Sequence, residues 1–250
     1  MSILSVNMST VNTSSIILNL NEPFQIMPVR TGFINLDKFK IAPKSSEPKP
    51  ILIHTGYDFS PFSINGLNPN SYAVKLLYNN LDLLEKINAD YVLIHGPDTT
   101  SKLSYFMQGL AFIKQCTLNY YTSKKLPPKF KICIEIPAFK KDLYNTINSL
   151  YNDSTLNLKV IQFIKECLNE CVKNGFSIVL DTAHLYANGL STSQQIELLK
   201  EYSDYYKYIH LNGNCKNAYE PDEHTILNPN GLKSTFKPNK IPDVSLLLSE

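Results

Sequence analysis

The sequence predicts a single α/β protein, an eight-stranded (β/α)8 barrel, and three observations support that fold class. Short apolar segments rich in β-forming residues occur eight times along the 250 residues. Several of them are followed by stretches with helical periodicity, as expected for the crossover helices between parallel strands. Histidines and carboxylates lie at the ends of these segments, on the rim where α/β barrels build their active sites. An open, doubly wound sheet is the alternative architecture.

The predicted strands are Ile3–Asn7, Pro23–Met27, Ile51–His54, Tyr91–His95, Lys131–Glu135, Ser177–Asp181, Tyr208–Leu211 and Leu246–Glu250. Four helices have an apolar face. The first includes residues 74–87, the second includes 103–113, the third includes 160–171 and ends at Gly175, and the fourth begins near Thr192 or Ser193. Two polar segments, 28–49 and 212–243, interrupt the alternation and are predicted to be long functional loops.

The composition is that of an ordinary globular protein, with 43% hydrophobic and 18% charged residues, so we expect one domain over residues 1–250. Five cysteines in mostly apolar segments predict buried thiols rather than a disulfide framework. No run approaches the roughly 18 apolar residues of a membrane helix, and the first residues do not resemble a signal peptide. We therefore expect an intracellular monomer. The net charge of +2 is too small to indicate general nucleic-acid binding, so any DNA contact must be local.

Most of the chain's histidines lie at or just after predicted strand ends, and carboxylates accompany them. These residues are His54, His95, Glu135, Asp181, His184, His210, Asp222, His224 and Glu250. A carboxylate that ends an apolar strand is costly unless it is paired or binds a cation. Imidazoles and carboxylates with little thiolate are typical of hydrolytic Zn²⁺ or Mn²⁺ sites. Because nine ligands exceed what one tetrahedral ion can use, the pattern predicts two or three ions.

Each of these nine residues could also have a purely structural role instead of binding a metal ion. A single histidine at a strand end can be a hydrogen-bonded core residue, and Asp181 could simply cap the next helix. Asp222 and His224 could belong to a charged surface loop. The nine positions together favour the metal site.

Five segments resemble the endonuclease IV family of apurinic/apyrimidinic (AP) endonucleases, which are TIM barrels. ILIHTGY resembles a family strand with its histidine and following tyrosine, YVLIHGP resembles the HPG segment, and CIEIPA resembles the strand with a metal-binding glutamate. VLDTAHLYANG is similar to the signature DTCHxxAAG, and IHLNGNCKNAYEPDEH is similar to HLND(S/A)K followed by DRH. The resemblance extends from about Pro23 to Glu250.

The resemblance implies three Zn²⁺ ions per chain, with Mn²⁺ as the alternative. His54, His95 and Glu135 would hold the first ion. The second would be held by Asp181, His210 and Glu250 with Glu135 as the bridge, and the third by His184, Asp222 and His224. Glu135 and Asp181 would be the catalytic carboxylates. The implied reaction is hydrolysis of the phosphodiester 5′ to an abasic site in duplex DNA, which leaves a 3′-hydroxyl during base excision repair.

The resemblance also implies two DNA contacts. Tyr57 matches a tyrosine near the flipped-out abasic nucleotide, and Arg30 matches an arginine that inserts into DNA. The family's NTAGQG after the glutamate is replaced by IPAFKK, and HLND becomes HLNG at Gly213. These departures lie in loops that would bind the substrate. The residues therefore support the catalytic reaction more strongly than the identity of the substrate. The alternatives are a sugar isomerase or epimerase, whose barrels also gather such ligands, and a DNA-binding homologue without turnover. The expected location is the nucleus or cytoplasm, or the cytoplasm or virion for a viral protein.

Overall fold

The structure is a computed structural model that describes residues 7–9, 24–40, 51–56, 59, 61–62, 68–96, 103–150, 155–210, 213–214, 218–219 and 224–225. Four of the positions singled out above fall outside or partly outside these ranges. Tyr57, Asp222 and Glu250 are not described, and of His224 only the backbone is described. The predicted strand Leu246–Glu250 also lies outside them.

Within these ranges, seven parallel strands form one sheet, and each pairs with the next along the chain. They are β1 (Asn7–Ser9), β2 (Phe24–Met27), β3 (Ile51–His54), β4 (Tyr91–His95), β5 (Ile132–Glu135), β6 (Ser177–Asp181) and β7 (Tyr206–His210). A doubly wound sheet would reverse its strand order near the middle, whereas this order runs in one direction. The topology is therefore that of a barrel. A short antiparallel pair, β8 (Gly213–Asn214) and β9 (His224–Thr225), follows β7.

The described part of the chain forms six α-helices and one short 3-10 turn, Leu36–Lys38. The helices are α1 (Tyr72–Ile87), α2 (Leu103–Ser123), α3 (Lys141–Leu150), α4 (Leu156–Lys173), α5 (Thr182–Ala187) and α6 (Thr192–Glu201). The side chain of Ser191 accepts a hydrogen bond from the backbone of Gln194 and so caps α6, and a left-handed Gly175 follows α4. No helix among the described residues is long and apolar enough to cross a bilayer.

The sheet is strongly curled. In a flat sheet, β2 and β7 would lie about 24 Å apart, at about 4.8 Å for each of the five steps between them. In the structure, Oε1 of Gln25 on β2 and Nε2 of His210 on β7 are only 2.6 Å apart. Residues on the inner face of the sheet, from β2 to β7, therefore converge on a common centre.

The strand predictions were accurate where the apolar run is sharply bounded. The predicted bounds of β3, β4 and β6 are those of the structure, and β5 begins one residue later than predicted. β2 ends at Met27 as predicted, and its predicted first residue, Pro23, lies outside the described residues. Two strand predictions were wrong in their bounds. β1 ends at Ser9 rather than at Asn7, and β7 begins at Tyr206 rather than at Tyr208. Residues 3–6 and 211 of these two predictions lie outside the described part of the chain.

Candidate metal centre

Inside the curled sheet, the candidate metal ligands form one layer of side chains, and an apolar layer lies next to it, two residues earlier along each strand. Along a strand, side chains two positions apart share a face, and five strands use this spacing in the same way. The inward pairs, apolar residue first, are Leu52 and His54, Leu93 and His95, Cys133 and Glu135, Val179 and Asp181, and Tyr208 and His210. The intervening residues, such as Ile53, Ile94 and Ile134, pack outward in the larger core. Strand periodicity thus brings five ligand-type residues to one level of the barrel.

Glu135 is at the centre of this layer and has no exposed surface. His210 Nδ1 lies 2.9 Å from its Oε1 atom, and His95 Nε2 lies 3.0 Å from its Oε2 atom. His184 Nδ1, from helix α5, is 3.6 Å from Oε1. One buried carboxylate therefore has three imidazoles around it among the described residues.

Two groups of three residues could hold metal ions. In each, ligand atoms lie within 4.8 Å of one another, and the groups are His54, His95 and Glu135, and Glu135, Asp181 and His210. Glu135 belongs to both. These are the first two ligand sets implied by the family resemblance, apart from Glu250, which lies outside the described residues.

His54 is a neutral imidazole in this environment. Its Nδ1 atom donates a hydrogen bond to the carbonyl oxygen of Thr55 at 2.8 Å, so its Nε2 atom carries the lone pair. Burial, together with the nearby His95, lowers the pKa of His54 to about 3. A histidine held neutral in this way can bind a metal ion without first losing a proton.

Glu135 and His210 form a buried ion pair. Burial by itself would raise the pKa of Glu135 and lower that of His210, but attraction between the charged groups outweighs burial. The pKa of Glu135 is therefore well below its usual value, and that of His210 is raised to about 10, with Asp181 also contributing. Without a metal ion, the proton on His210 supplies the positive charge between the two carboxylates.

Asp181 caps a helix, and its position also allows the ligand role considered from the sequence. Its Oδ1 atom accepts hydrogen bonds from the backbone N–H groups of Ala183 at 2.7 Å and His184 at 3.2 Å, which caps helix α5. Its Oδ2 atom lies 3.6 Å from His210 Nδ1. The capping interaction fixes the carboxylate and leaves the second oxygen turned toward the site, so the two roles are compatible.

The donor set fits a divalent cation. The buried Oε2 atom of Glu135 makes no hydrogen bond within the described part of the chain, because His95 Nε2 approaches it without hydrogen-bond geometry. Two ligand atoms of one tetrahedral Zn²⁺, each about 2.05 Å from the ion, lie about 3.3 Å apart. The 3.0 Å separation of these two atoms is close to that value. A buried acceptor beside imidazole nitrogens is the arrangement that a shared cation would satisfy.

The other predicted site residues lie outside these two groups. Arg30 follows β2 and is exposed. The backbone of His224 pairs with Asn214 in the short strand pair that follows β7. The third ligand set, in which His184 would act with Asp222 and His224, stays a prediction.

Gln25 is the site residue that sequence reasoning missed. It contacts His210 from β2 and is 3% exposed. The available signal was a single amide residue within the predicted strand of residues 23–27, and that residue type alone does not indicate a metal site.

Comparison with solved structures identifies the fold. No protein-family profile matches the sequence, and no curated protein sequence matches it significantly. The crystal structure of AsfvAP:AG, in which AsfvAP is an ASFV AP endonuclease, matches with a TM-score of 0.54 and 14% identity, over 90% of this chain and 79% of that one. A xylose isomerase domain protein from Planctomyces limnophilus matches with a TM-score of 0.52 and 11% identity, over 91% and 80%. The chain therefore has the TIM-barrel-like fold of these proteins, as predicted.

Proposed function

We propose that this protein is a zinc-dependent AP endonuclease that hydrolyses the phosphodiester 5′ to an abasic site in duplex DNA. The observation that carries the proposal is the pair of ligand groups that share the buried carboxylate of Glu135. The first group has two imidazoles and one carboxylate, which are ligands that suit Zn²⁺ and leave a coordination position for water or substrate. The similarity of residues 179–189 to the signature DTCHxxAAG favours the nuclease among metal-dependent barrels.

Bound Zn²⁺ ions would supply Lewis acidity, which activates water at neutral pH and stabilises the oxygens of the phosphodiester. The chain's own residues would hold and orient that centre. Glu135 would bridge the two ligand groups as a carboxylate, because its pKa is lowered. The backbone N–H groups at the start of α5 fix Asp181, and the carbonyl of Thr55 fixes the ring of His54. The third ion, with His184, Asp222 and His224 as ligands, is part of the same proposal.

The proposed substrate is DNA that carries an abasic nucleotide. Extrusion of that nucleotide costs little because no base has to be unstacked. Arg30 and Tyr57, which follow β2 and β3, would contact the DNA at the carboxyl ends of the strands, as the family resemblance implies. A substrate of this kind implies an intracellular protein, in the nucleus or cytoplasm, or in the virion if the protein is viral.

The direct test is incubation of the purified, Zn²⁺-loaded protein with a duplex that carries one tetrahydrofuran abasic analogue. We expect one nick 5′ to the analogue, which EDTA abolishes and which an undamaged duplex does not show. Glu135→Gln should be inactive, whereas the control Glu197→Gln, which changes an exposed residue of α6, should cleave like the wild type. A Zn²⁺-loaded wild-type protein that leaves the analogue duplex intact would remove the nuclease proposal.

The similarity to a xylose isomerase domain protein favours a second candidate, a sugar isomerase or epimerase. The same protein preparation should then interconvert an aldose and a ketose, or two epimeric sugars, and leave the abasic duplex intact. Binding of the duplex without a nick or sugar conversion would indicate a DNA-binding homologue without turnover. The three results are mutually exclusive on one sample.

A further inference from the structure

Gln25 contacts the ring nitrogen of His210 that faces away from the carboxylates. Its Oε1 atom lies 2.6 Å from His210 Nε2, and both residues are buried. The other ring nitrogen, Nδ1, lies 2.9 Å from Glu135 and 3.6 Å from Asp181. His210 is therefore held between an amide oxygen on one side and two carboxylates on the other.

This contact fixes where the ring proton resides. An amide oxygen only accepts hydrogen bonds, so Nε2 of His210 must carry a hydrogen in order to donate to Gln25. In the neutral ring, the lone pair is then on Nδ1, which faces Glu135 and Asp181. Histidines that bind metal ions are generally oriented by such an outer hydrogen bond from their second nitrogen.

We propose that Gln25 is a positioning residue that holds His210 in the Nε2–H tautomer, so that Nδ1 is presented to a metal ion of the second ligand group. The inference rests on the metal-binding part of the proposed function and does not depend on the substrate. Gln25 also comes from β2, which contributes no ligand to either group, so it extends the site across the closing side of the curled sheet.

The test compares Zn²⁺ affinity in four proteins, measured by competition with a chromophoric chelator. Gln25→Leu should weaken binding of the ion of the second ligand group by about 10- to 100-fold and leave binding of the other ions unchanged. Gln25→Glu keeps an acceptor oxygen and should stay within a few-fold of the wild type. The matched control is Gln195→Leu, which changes a fully buried glutamine of α6 that donates to the carbonyl of Leu190. It should bind Zn²⁺ like the wild type.

A second measurement identifies the tautomer directly and would not respond to a merely structural role. In Zn²⁺-loaded protein with ¹⁵N-labelled histidine, the five histidines give few enough signals to assign by substitution. We expect Nε2–H and a metal-bound Nδ1 for His210 in the wild type and in Gln25→Glu. Metal binding through Nε2 in the wild type would overturn the inference, whether or not the variants fold.

Unchanged Zn²⁺ affinity in folded Gln25→Leu would also overturn the inference, as would equal losses in Gln25→Leu and Gln195→Leu. None of these results touches the nuclease proposal, because no DNA is present. Conversely, a wild type that binds Zn²⁺ as described but leaves abasic DNA intact would remove the nuclease proposal and keep the role of Gln25. A wild type that binds no Zn²⁺ would remove both.

Discussion

A carboxylate with no exposed surface needs a positive charge close by, and Glu135 has two ways to obtain one. In the metal-free protein, the imidazolium of His210 supplies it, which is why the pKa of Glu135 is lowered and that of His210 is raised to about 10. In the proposed functional state, metal ions replace that proton. The sequence indicated the ligand types at this position, but the order of contacts around Glu135 depends on side-chain geometry that no linear pattern contains.

Glu135→Gln should abolish both ligand groups, because Glu135 is their shared member. The side chain keeps its size, so the fold should persist while Zn²⁺ affinity falls by more than about 100-fold, beyond the usual effect of losing an outer partner. His54→Asn should affect the first group only. Metal content after desalting, measured by plasma mass spectrometry, separates the two variants. Equal metal content in Glu135→Gln and wild type would contradict the shared-ligand arrangement.

Substitutions of Asp181 should separate capping from metal binding. Asparagine caps helices about as well as aspartate, whereas alanine costs about 1 kcal/mol of stability. In EDTA, we therefore expect Asp181→Asn to unfold in urea closer to the wild type than Asp181→Ala does. With Zn²⁺ present, both variants should lose the ion of the second group. Retention of that ion in Asp181→Asn would show that Asp181 acts only as a cap.

At the scale of elements, α5 is tied to the segment that follows β5. Asn188 at the end of α5 is fully buried, and its Oδ1 atom accepts hydrogen bonds from Phe139 N at 2.8 Å and the Tyr144 hydroxyl at 2.9 Å. Its Nδ2 atom donates to the carbonyl of Pro137 at 3.0 Å. In the segment IPAFKK, which departs from the family pattern, residues 136–139 thus pack at the core and hold the ends of β5 and α5 together, whereas Lys140 and Lys141 are exposed.

Asn188→Ala should leave two backbone groups, the N–H of Phe139 and the carbonyl of Pro137, without this partner, whereas the Tyr144 hydroxyl keeps the carbonyl of Ala187. We expect the free energy of unfolding to fall by about 3 kcal/mol. Tyr144→Phe removes only the hydroxyl and should cost about 1 kcal/mol. Urea unfolding of the two variants in EDTA measures both changes. A loss in Asn188→Ala no larger than that in Tyr144→Phe would mean that the amide does not connect the two elements.

The sequence predicted the elements that have a strong pattern of their own. Strands such as Tyr91–His95 are continuous apolar runs, and their bounds follow from composition. Helices α3 and α5 were not predicted, because α3 has a sparse apolar stripe and α5 has only six residues. The capping role of Asp181 was one of the two interpretations considered from the sequence, and the structure shows the helix that it begins. Gln25 was missed because its partner is 185 residues away in sequence.

At the scale of the whole molecule, the site exists only when the sheet is curled. Its candidate ligands come from β3 to β7, which bring residues 54 and 210 into one cluster. The barrel was predictable because strand and helix patterns alternate, and its fold is shared with an endonuclease and with an isomerase domain protein. Fold alone does not determine function, so the choice between those chemistries depends on the ligand set.

Metal binding should therefore stabilise the folded chain, since the unfolded chain cannot assemble the ligands. Free Zn²⁺ at 100 times the Kd contributes about 2.7 kcal/mol per site, which for a chain of this size corresponds to a Tm increase of roughly 5–10 °C. Differential scanning fluorimetry with Zn²⁺ and with EDTA measures the shift. Glu135→Gln should show a smaller shift, limited to the ion of the third ligand set, and a shift equal to that of the wild type would place the stabilising ions elsewhere.

The central claim is that metal ions bind on both sides of the Glu135 carboxylate, and anomalous diffraction at the zinc edge tests it most directly. Crystals of the Zn²⁺-loaded protein should show one peak among His54, His95 and Glu135 and another among Glu135, Asp181 and His210. Each should lie about 2.0–2.2 Å from its nearest ligand atoms. Zinc peaks confined to other parts of the molecule, with none within ligand distance of Glu135, would contradict the claim.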